Sequence, residues 1–540
     1  MFLNFLRLLR DFYGPVYPVV LVQQIKRYYY EIGEYLAWYW QAKTFRPAKV
    51  RVGLMGWLLV AGYFVLLAGL VFAAVLAWQA GRWQLAMALL ITYPLVLAHV
   101  ITVFVVLAKA AWYIAHPKKL LRYFVCITIE HYVKRLRRKH DFVIVAVAGS
   151  VGKTSTKAAI ATMLKSAGKR VQIQEGNYND RVTVPLVLFG LSLSRLFNPG
   201  WWLKTMWQMR RTVRAKEYPY DVVVLELGTD GPGQLRHFDY LQPDIGVLTA
   251  VAPEHMEYFK TLDAVADEEL TLLSYAGKAL VNIDGIDAKY LKGYKYKAYS
   301  ISDKSAKAEF RATKRTGESL HGQTVSFELN KEKVTSAIAY LGEQGATIAL
   351  AAAAAAKMLE LSKEQIHAGL EELKPFSGRM QILQGIKGST IIDDTYNASP
   401  LAVKAALDVV YAHHAPQRIA VLGDMNELGD MSPEAHMDIG RYCDPNKVEL
   451  VVTIGPASKQ YVAPQAEKAG CNVASFDSPY KAGEYLSKQL EQGALVLVKG
   501  SQNRVFAEES IKSILANSDD ESRLVRQSNS WMRIKEKQFL

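Results

Sequence analysis

From Gly53 to Trp78 the chain reads GLMGWLLVAGYFVLLAGLVFAAVLAW, a stretch without a single charge. At about 1.5 Å of helix rise per residue it exceeds the roughly 30 Å apolar layer of a bilayer, which predicts a spanning helix. A second uncharged stretch, Leu85 to Ala108, predicts another, kinked at Pro94 and carrying the polar His99 as a hydrogen-bonded packing residue. The connection QAGRWQ holds only Arg82. Lys43, Arg46, Lys49 and Arg51 precede the pair, and Lys118, Lys119, Arg122, Lys134, Arg135, Arg137, Arg138 and Lys139 follow it. The positive-inside rule then predicts a hairpin in the inner (cytoplasmic) membrane, a multi-pass placement with both termini in the cytoplasm and membrane lipids as partners. Residues 1–50 mix aromatic and basic positions, as an interfacial helix or an ordinary amphipathic one would. Their internal charges argue against a signal peptide.

Beyond Asp141 the pattern changes to short apolar runs alternating with helical segments: VIVAVAG, VVVLELG, IGVLTAV, ALVNID, IIDD, IAVLGD, LVVTIG and ALVLVKG. Such alternation predicts α/β domains with helix-covered parallel sheets. The expected organisation is a membrane-anchoring region over 1–140 with spans at about 53–78 and 85–108, a P-loop central domain over 141–374, a Rossmann-like C-terminal α/β domain over 375–515, and a polar, mobile tail over 516–540. The stretch between Tyr294 and Tyr340 alternates like strands, and an alanine-rich helix follows from Ala346 to Leu359.

Composition narrows the function classes. The net charge of +14 is concentrated partly around the apolar pair, and no nucleic-acid-binding motif accompanies it, so nucleic acid is not an expected partner. Three cysteines, Cys126, Cys443 and Cys471, stand far apart without CxxC spacing, which argues for a reducing compartment and against a zinc site.

The strongest local signal is Gly149-Ser150-Val151-Gly152-Lys153-Thr154, directly after the strand VIVAVA and before a helix beginning near Ser155. In that context glycines let backbone N–H groups approach phosphates, Lys153 reaches the β and γ oxygens, and the Thr154 hydroxyl serves Mg²⁺. Val147 stands where the usual pattern has its first glycine. Glu226 ends the strand VVVLE and His255 follows IGVLTAV, both where strand ends converge on a ligand in an open sheet. A carboxylate and an imidazole there suit a divalent ion.

The runs AGSVGKTSTKAAIATML, EGNYNDRVTVP, LELGTDGPGQL, APEHMEYF, SGRMQ, IIDDTYNASP, VLGDMNELGD and LVKGS, in this order from about Val143 to Leu515, resemble the Mur ligase family in its D-alanyl-D-alanine-adding branch. The resemblance implies an ATP- and Mg²⁺-dependent ligase that joins a muramoyl-peptide carboxylate to an amino acid or dipeptide amine through an acyl-phosphate. It implies catalytic roles for Lys153, Glu226 and His255, and nucleotide binding by Gly149, Ser150, Gly152, Lys153, Thr154 and Ser155, with Arg379, Asp394 and Asn397 closing from the C-terminal domain. Asn177 and Asn179 would line the substrate cleft, and Thr154, Glu226 and His255 would hold metal. Two other readings stand beside it: a Mur-type ligase or amidotransferase acting on another, lipid-linked carboxylate, and a membrane-tethered nucleotide switch without catalysis.

Four departures from the family stand out. The apolar pair replaces the usual small domain that grips the UDP end. Glu269, by the family spacing from His255, falls at or beside the lysine that is carboxylated to a carbamate in most members, which makes it a fourth candidate metal ligand. Gly342, Gln344, Gly345 and Ile348 replace the family's asparagine and histidine beside the adenine, leaving ATP and GTP both open. The segment Arg195 to Lys216 is an apparent insertion, with Leu203, Met206 and Trp207 at helical spacing among Lys204, Arg210, Arg211 and Arg214, as suits either an anionic membrane surface or packing on the protein.

Overall fold

The computed structural model describes residues 16–27, 35–36, 39, 52–95, 99–174, 179–193, 198–302 and 308–539. The chain forms two compact units, Met1–Thr128 and Ile129–Leu540.

In the first unit the helix Leu54–Gln79 packs on Trp83–Leu95 and on Tyr17–Arg27, around a buried cluster that includes Tyr17, Leu21, Tyr35, Val60 and Tyr63. Tyr17 and Tyr39 share a hydroxyl hydrogen bond, Tyr35 is bonded to Thr102, and Tyr39 to Nδ1 of His99, so His99 is the packing residue expected. Of the second apolar stretch, the structure describes the helices Trp83–Leu95, of 13 residues, and Val100–Ala115, of 16. Among the described residues only Leu54–Gln79 is long and apolar enough to cross a membrane. The expected two-span hairpin is thus not borne out among the described residues, and the multi-pass inner-membrane placement is corrected. Among the described residues nothing beyond that single helix supports membrane lipids as partners.

The second unit is built on two sheets. Val143–Ala148 is buried along nearly its whole length and lies parallel between Val222–Glu226 and Ile245–Leu248, as a continuous apolar run demands when both faces are covered. Outside these lie Val171–Ile173 on one side, and Lys278–Asn282 and Lys297–Ser300 on the other. Phe310–Ser319, Gly322–Leu329 and Glu332–Ile338 complete the sheet as the expected alternating segment, in antiparallel hairpins. The chain leaves Val143–Ala148 toward one side and returns on the other. That switch point opens a crevice at the strand's C-terminal end. The alanine-rich segment is the helix Gly342–Met358, whose Ala349 and Ala351 to Ala356 are all buried; small side chains let it lie close against the helix Lys153–Ser166.

The second sheet runs Gln381–Gln384, Thr390–Asp394, Leu495–Lys499, Arg418–Gly423, Leu450–Ile454 and Asn472–Phe476, parallel except for its first, antiparallel edge strand. Asp394 and Lys499 come side by side at the C-terminal ends of neighbouring strands, in register with each other.

Two peripheral segments differ from, or refine, the sequence reading. The insertion is a helix, Pro199–Arg214, capped by the Asn198 side chain. Trp202, Met209 and Val213 are buried, while Leu203, Lys204, Trp207, Arg210, Arg211 and Arg214 are exposed. The tail, expected to be polar and mobile, forms the helix Asn529–Phe539 and docks on the domain through buried ion pairs and the Phe539 ring. Lys535 is fully buried, with Nζ 2.5 Å from Glu509 Oε1 and 2.9 Å from Glu508 Oε1. Burial raises the Glu509 carboxyl, but its pairs with Lys512 and Lys535 outweigh burial and hold it below the ordinary carboxylate range. Lys535→Met, which leaves two buried carboxylates short of a partner, is expected to cost about 3 kcal/mol, read as a lower urea midpoint at unchanged slope.

Candidate active site

The crevice is floored by the loop between Val143–Ala148 and the helix Lys153–Ser166. Gly149 has φ of 123°, and a Cβ there would stand 2.3 Å from Thr249 Oγ1 and 2.8 Å from the Ala250 nitrogen, so only glycine fits. Val147, where a longer loop would have its first glycine, instead stays in the strand, fully buried and in register with Glu226. The loop is thus short, and Gly149 makes its first turn. The helix that follows presents its free N–H groups to the crevice, an anion site by geometry.

Around it stand three carboxylates and two lysines. Lys153 Nζ lies 3.3 Å from both Glu254 oxygens. Thr154 donates to Glu226 Oε1 at 3.1 Å, and Lys157, one turn beyond Lys153, sits 3.3 Å from Glu226 Oε2 and donates to the Gln174 carbonyl at 3.0 Å. Glu269 is fully buried, accepts from the Gly149 N–H at 2.6 Å, and lies within hydrogen-bond reach of the Glu254 carboxyl. The surplus of negative charge shows in both partners of the central pair. Burial and the neighbouring Glu269 hold the Glu254 carboxyl well above its ordinary range despite Lys153. Burial works against the Lys153 charge, yet Glu254, Glu269 and Glu226 together hold its ammonium above the ordinary lysine value. This is a place that gains from a bound cation.

His255 takes a left-handed backbone, φ 47°, and puts Nδ1 2.9 Å from Glu427 Oε2, a residue of the LGDMNELGD run on the second sheet's side. That contact lowers the Glu427 carboxyl below its ordinary range. Opposite, Asp394 is bonded to Lys499 at 2.5 Å and accepts from the Met380 N–H at 3.2 Å, and Lys499 also donates to the Asn397 carbonyl at 3.0 Å. The Arg379 guanidinium lies 4.1 Å over the Tyr396 ring, and its buried Nε–H has no partner.

Two cavities open between the two sheets. The first, about 460 Å³, is lined by Gly152 and Ser155, by Gly342, Gln344, Gly345 and Ile348 of the alanine-rich helix, and by Arg379 and Asp394. The second, about 350 Å³, is lined by Ser150, Lys153, Thr154, Asn179, Glu226, Glu254, His255, Arg379, Asn397 and Glu427 among others. The sequence-derived residues are thereby gathered, with three qualifications. Asn177 lies outside the described residues. Gly149 and Glu269 sit behind the loop rather than on a cavity wall. Thr154 and Glu226 touch while His255 is paired elsewhere, and among the described residues no group of three or more His, Cys, Asp or Glu is assembled to hold an ion. The donor chemistry still fits Mg²⁺: a hydroxyl and a carboxylate side by side on a cavity wall, all oxygen, amid excess negative charge.

Sequence reasoning missed Lys157, Glu254, Tyr396, Glu427 and Lys499. Lys157 was signalled by its four-residue spacing from Lys153, which shares a helix face. Glu254 was signalled only by standing beside His255.

Comparison with known proteins decides the family. Residues 203–356 match the Mur ligase middle domain and residues 378–502 the Mur ligase glutamate ligase domain, together just over half of the chain. The chain belongs to the Mur ligase family. Members are ATP-dependent ligases that form amide bonds and use Mg²⁺. This Mur ligase is 27% identical over 399 residues to the UDP-N-acetylmuramoyl-tripeptide–D-alanyl-D-alanine ligase of Haemophilus influenzae, covering 71% of this chain and 79% of that one. It is 27% identical over 380 residues to the Escherichia coli enzyme of the same name, covering 69% and 77%. In fold it is similar to MurF of Acinetobacter baumannii, at a TM-score of 0.59 and 22% identity over 72% and 79% of the two chains. It is also similar to MurF from Thermotoga maritima in complex with ADP, at 0.59 and 21% over 73% and 84%.

Proposed function

We propose that this Mur ligase adds D-alanyl-D-alanine to a UDP-linked muramoyl-tripeptide, consuming ATP. The observation that carries the reading is the joint cavity system, in which Lys153 and Thr154 of a phosphate loop face Arg379 and Asn397 of the opposite domain across one space. The relatives bearing that activity in their names supply the substrate class.

In this reading the central domain spans 141–374 and the C-terminal domain 375–515. Gly152, Ser155, Arg379 and Asp394 take the nucleotide in the first cavity, beside the helix start at Gly342. Lys153 meets the γ-phosphoryl group, where its charge offsets what gathers on the transferring oxygens. Thr154, Glu226 and His255 would hold Mg²⁺, which supplies further neutralisation when bound. Asn179 lines the acceptor side. The substrate carboxylate oxygen attacks the γ-phosphorus and ADP leaves. The dipeptide amine then attacks the acyl carbon, loses a proton, and phosphate departs with the carboxylate oxygen. Water would hydrolyse this acyl-phosphate, so the walls contributed by both domains exclude it. A tripeptide labelled with heavy oxygen in its carboxylate is expected to pass one labelled oxygen to the released phosphate. Unlabelled phosphate would overturn the acyl-phosphate route.

Glu269 serves as a built-in replacement for a carbamoylated lysine. Its full burial, its bond to Gly149 and its pull on the Lys153 charge support this, since a native carboxylate behind the loop supplies negative charge without CO₂. Glu269→Gln is expected to raise the Mg²⁺ concentration needed for half-maximal activity, and wild-type activity is expected to be the same with and without bicarbonate. A Glu269→Gln titration superposing on wild type would make the residue a packing carboxylate only.

A further inference from the structure

The tail beyond residue 515 lies past both matched family domains, of which the second ends at residue 502. Yet it reaches the site. Arg526 places Nη1 3.0 Å from the Tyr396 carbonyl and Nη2 2.6 Å from the Thr395 carbonyl. The same guanidinium is gripped from behind by Glu508, with Nε 2.8 Å from Oε1 and Nη2 2.6 Å from Oε2. Both ends of this relay are dry: the Glu508 side chain is fully buried and that of Arg526 is 7% exposed. Arg526 adopts a left-handed backbone, φ 57°, a conformation that a non-glycine residue holds only where its surroundings over-determine it. Its neighbour Val525 packs on Gly378, where a Cβ would stand 2.8 Å from Val525 Cγ1 and where φ is 69°. Gly378 in turn accepts from the Tyr396 N–H at 3.0 Å and donates to Asp393 at 3.1 Å.

These contacts converge on one object. The loop after Thr390–Asp394 carries Tyr396, whose ring supports the Arg379 guanidinium at 4.1 Å, and among the described residues Arg379 is the charged side chain that lines both cavities. A planar fork suits the task, since it bonds two adjacent carbonyls while its remaining N–H groups meet a carboxylate; an ammonium offers no such geometry.

We propose that Arg526 is a positioning residue for the ligase reaction. It pins the Thr395–Tyr396 backbone from the tail, and through Tyr396 it sets Arg379 for the nucleotide phosphates. The inference rests on the assignment of these cavities to ATP, and gives the tail a part in nucleotide affinity that the matched family domains do not contain.

The test uses the full chain and ADP as probe. Arg526→Gln, Arg526→Lys and Phe539→Ala are compared with wild type by calorimetric ADP binding and by thermal unfolding. Phe539 packs on Tyr480 and Phe506, so its truncation loosens the tail without touching the two carbonyls. Both Arg526 variants are expected to weaken ADP binding about tenfold. Phe539→Ala is expected to lower the melting temperature and leave ADP affinity unchanged. In turnover the Arg526 variants are expected to raise KM for ATP more than they lower kcat. Equal ADP affinity in Arg526→Gln and wild type, or full affinity in Arg526→Lys, would overturn the proposal, as would a matching loss in Phe539→Ala. Should the wild type bind ADP with this pattern yet ligate no muramoyl-peptide, the substrate assignment fails and the positioning role stands. No ADP binding by the wild type would overturn both.

Discussion

Lys153→Ala is expected to lower ATP-dependent ligation by roughly a thousandfold, since one preorganised charge at a transferring phosphoryl group supplies about that much. Lys157, one turn on, does not substitute for it, because its ammonium is committed to Glu226 and the Gln174 carbonyl. From sequence context alone, a phosphate-loop lysine is expected to be solvated when no ligand is bound, and its loss to spare the fold. The structure corrects this: the Lys153 side chain is only 13% exposed and faces Glu254 at 3.3 Å. Removing the cation leaves Glu254 beside Glu269 with its strongest offset gone, and a stability loss of about 2 kcal/mol is expected. Lys153→Ala combined with Glu254→Gln is expected to regain that stability and none of the activity. Denaturant midpoints and initial rates on the two variants separate the effects. Near-normal ligation by folded Lys153→Ala would remove the lysine from the chemistry.

Lys499→Met is expected to be costly in both stability and rate. The ammonium is 1% exposed and ties the Asp394 carboxylate to the Asn397 carbonyl, so its loss strands a buried carboxylate and frees the loop that carries Tyr396 and Asn397. Breaking one partner of such a pair costs about 3–5 kcal/mol. Burial holds the Lys499 ammonium below the ordinary lysine range even with Asp394 beside it. The unfolded chain therefore binds more protons than the folded one between the folded pKa and the ordinary lysine value, and wild-type stability is expected to rise with pH across that window. Lys499→Met is expected to lose that slope. Pairing it with Asp394→Asn is expected to recover much of the stability without the activity. Additive losses in the double variant, measured by urea unfolding, would show that the two side chains are not coupled.

The strands and the phosphate loop were legible because fully buried parallel strands read as unbroken apolar runs, and because a turn as tight as Gly149's excludes other residues. Asp394, Asn397 and Arg379 came with the motifs that carry them. What escaped was every pairing set by tertiary approach: Glu254 with Lys153 across about a hundred residues of chain, Glu427 with His255, and Arg526 with the Thr395 carbonyl. The second apolar stretch misled because hydropathy sums composition along the chain, whereas among the described residues only Leu54–Gln79 is a helix long and apolar enough to span. The tail misled because polarity was taken for solvation. Arg526 and Lys535 are polar, but their partners Glu508 and Glu509 are buried, and these ion pairs dock the segment together with the packing of Leu524 and Phe539.

The central claim is a ligation, and mass spectrometry of its product tests it most directly. Full-length protein given ATP, Mg²⁺, UDP-linked muramoyl-tripeptide and D-alanyl-D-alanine is expected to yield the UDP-linked muramoyl-pentapeptide, with one ADP and one phosphate released per amide formed and none without the dipeptide's amine. ATP consumed with no gain of the dipeptide's mass, or no consumption while Lys153→Ala behaves as wild type, would contradict the account.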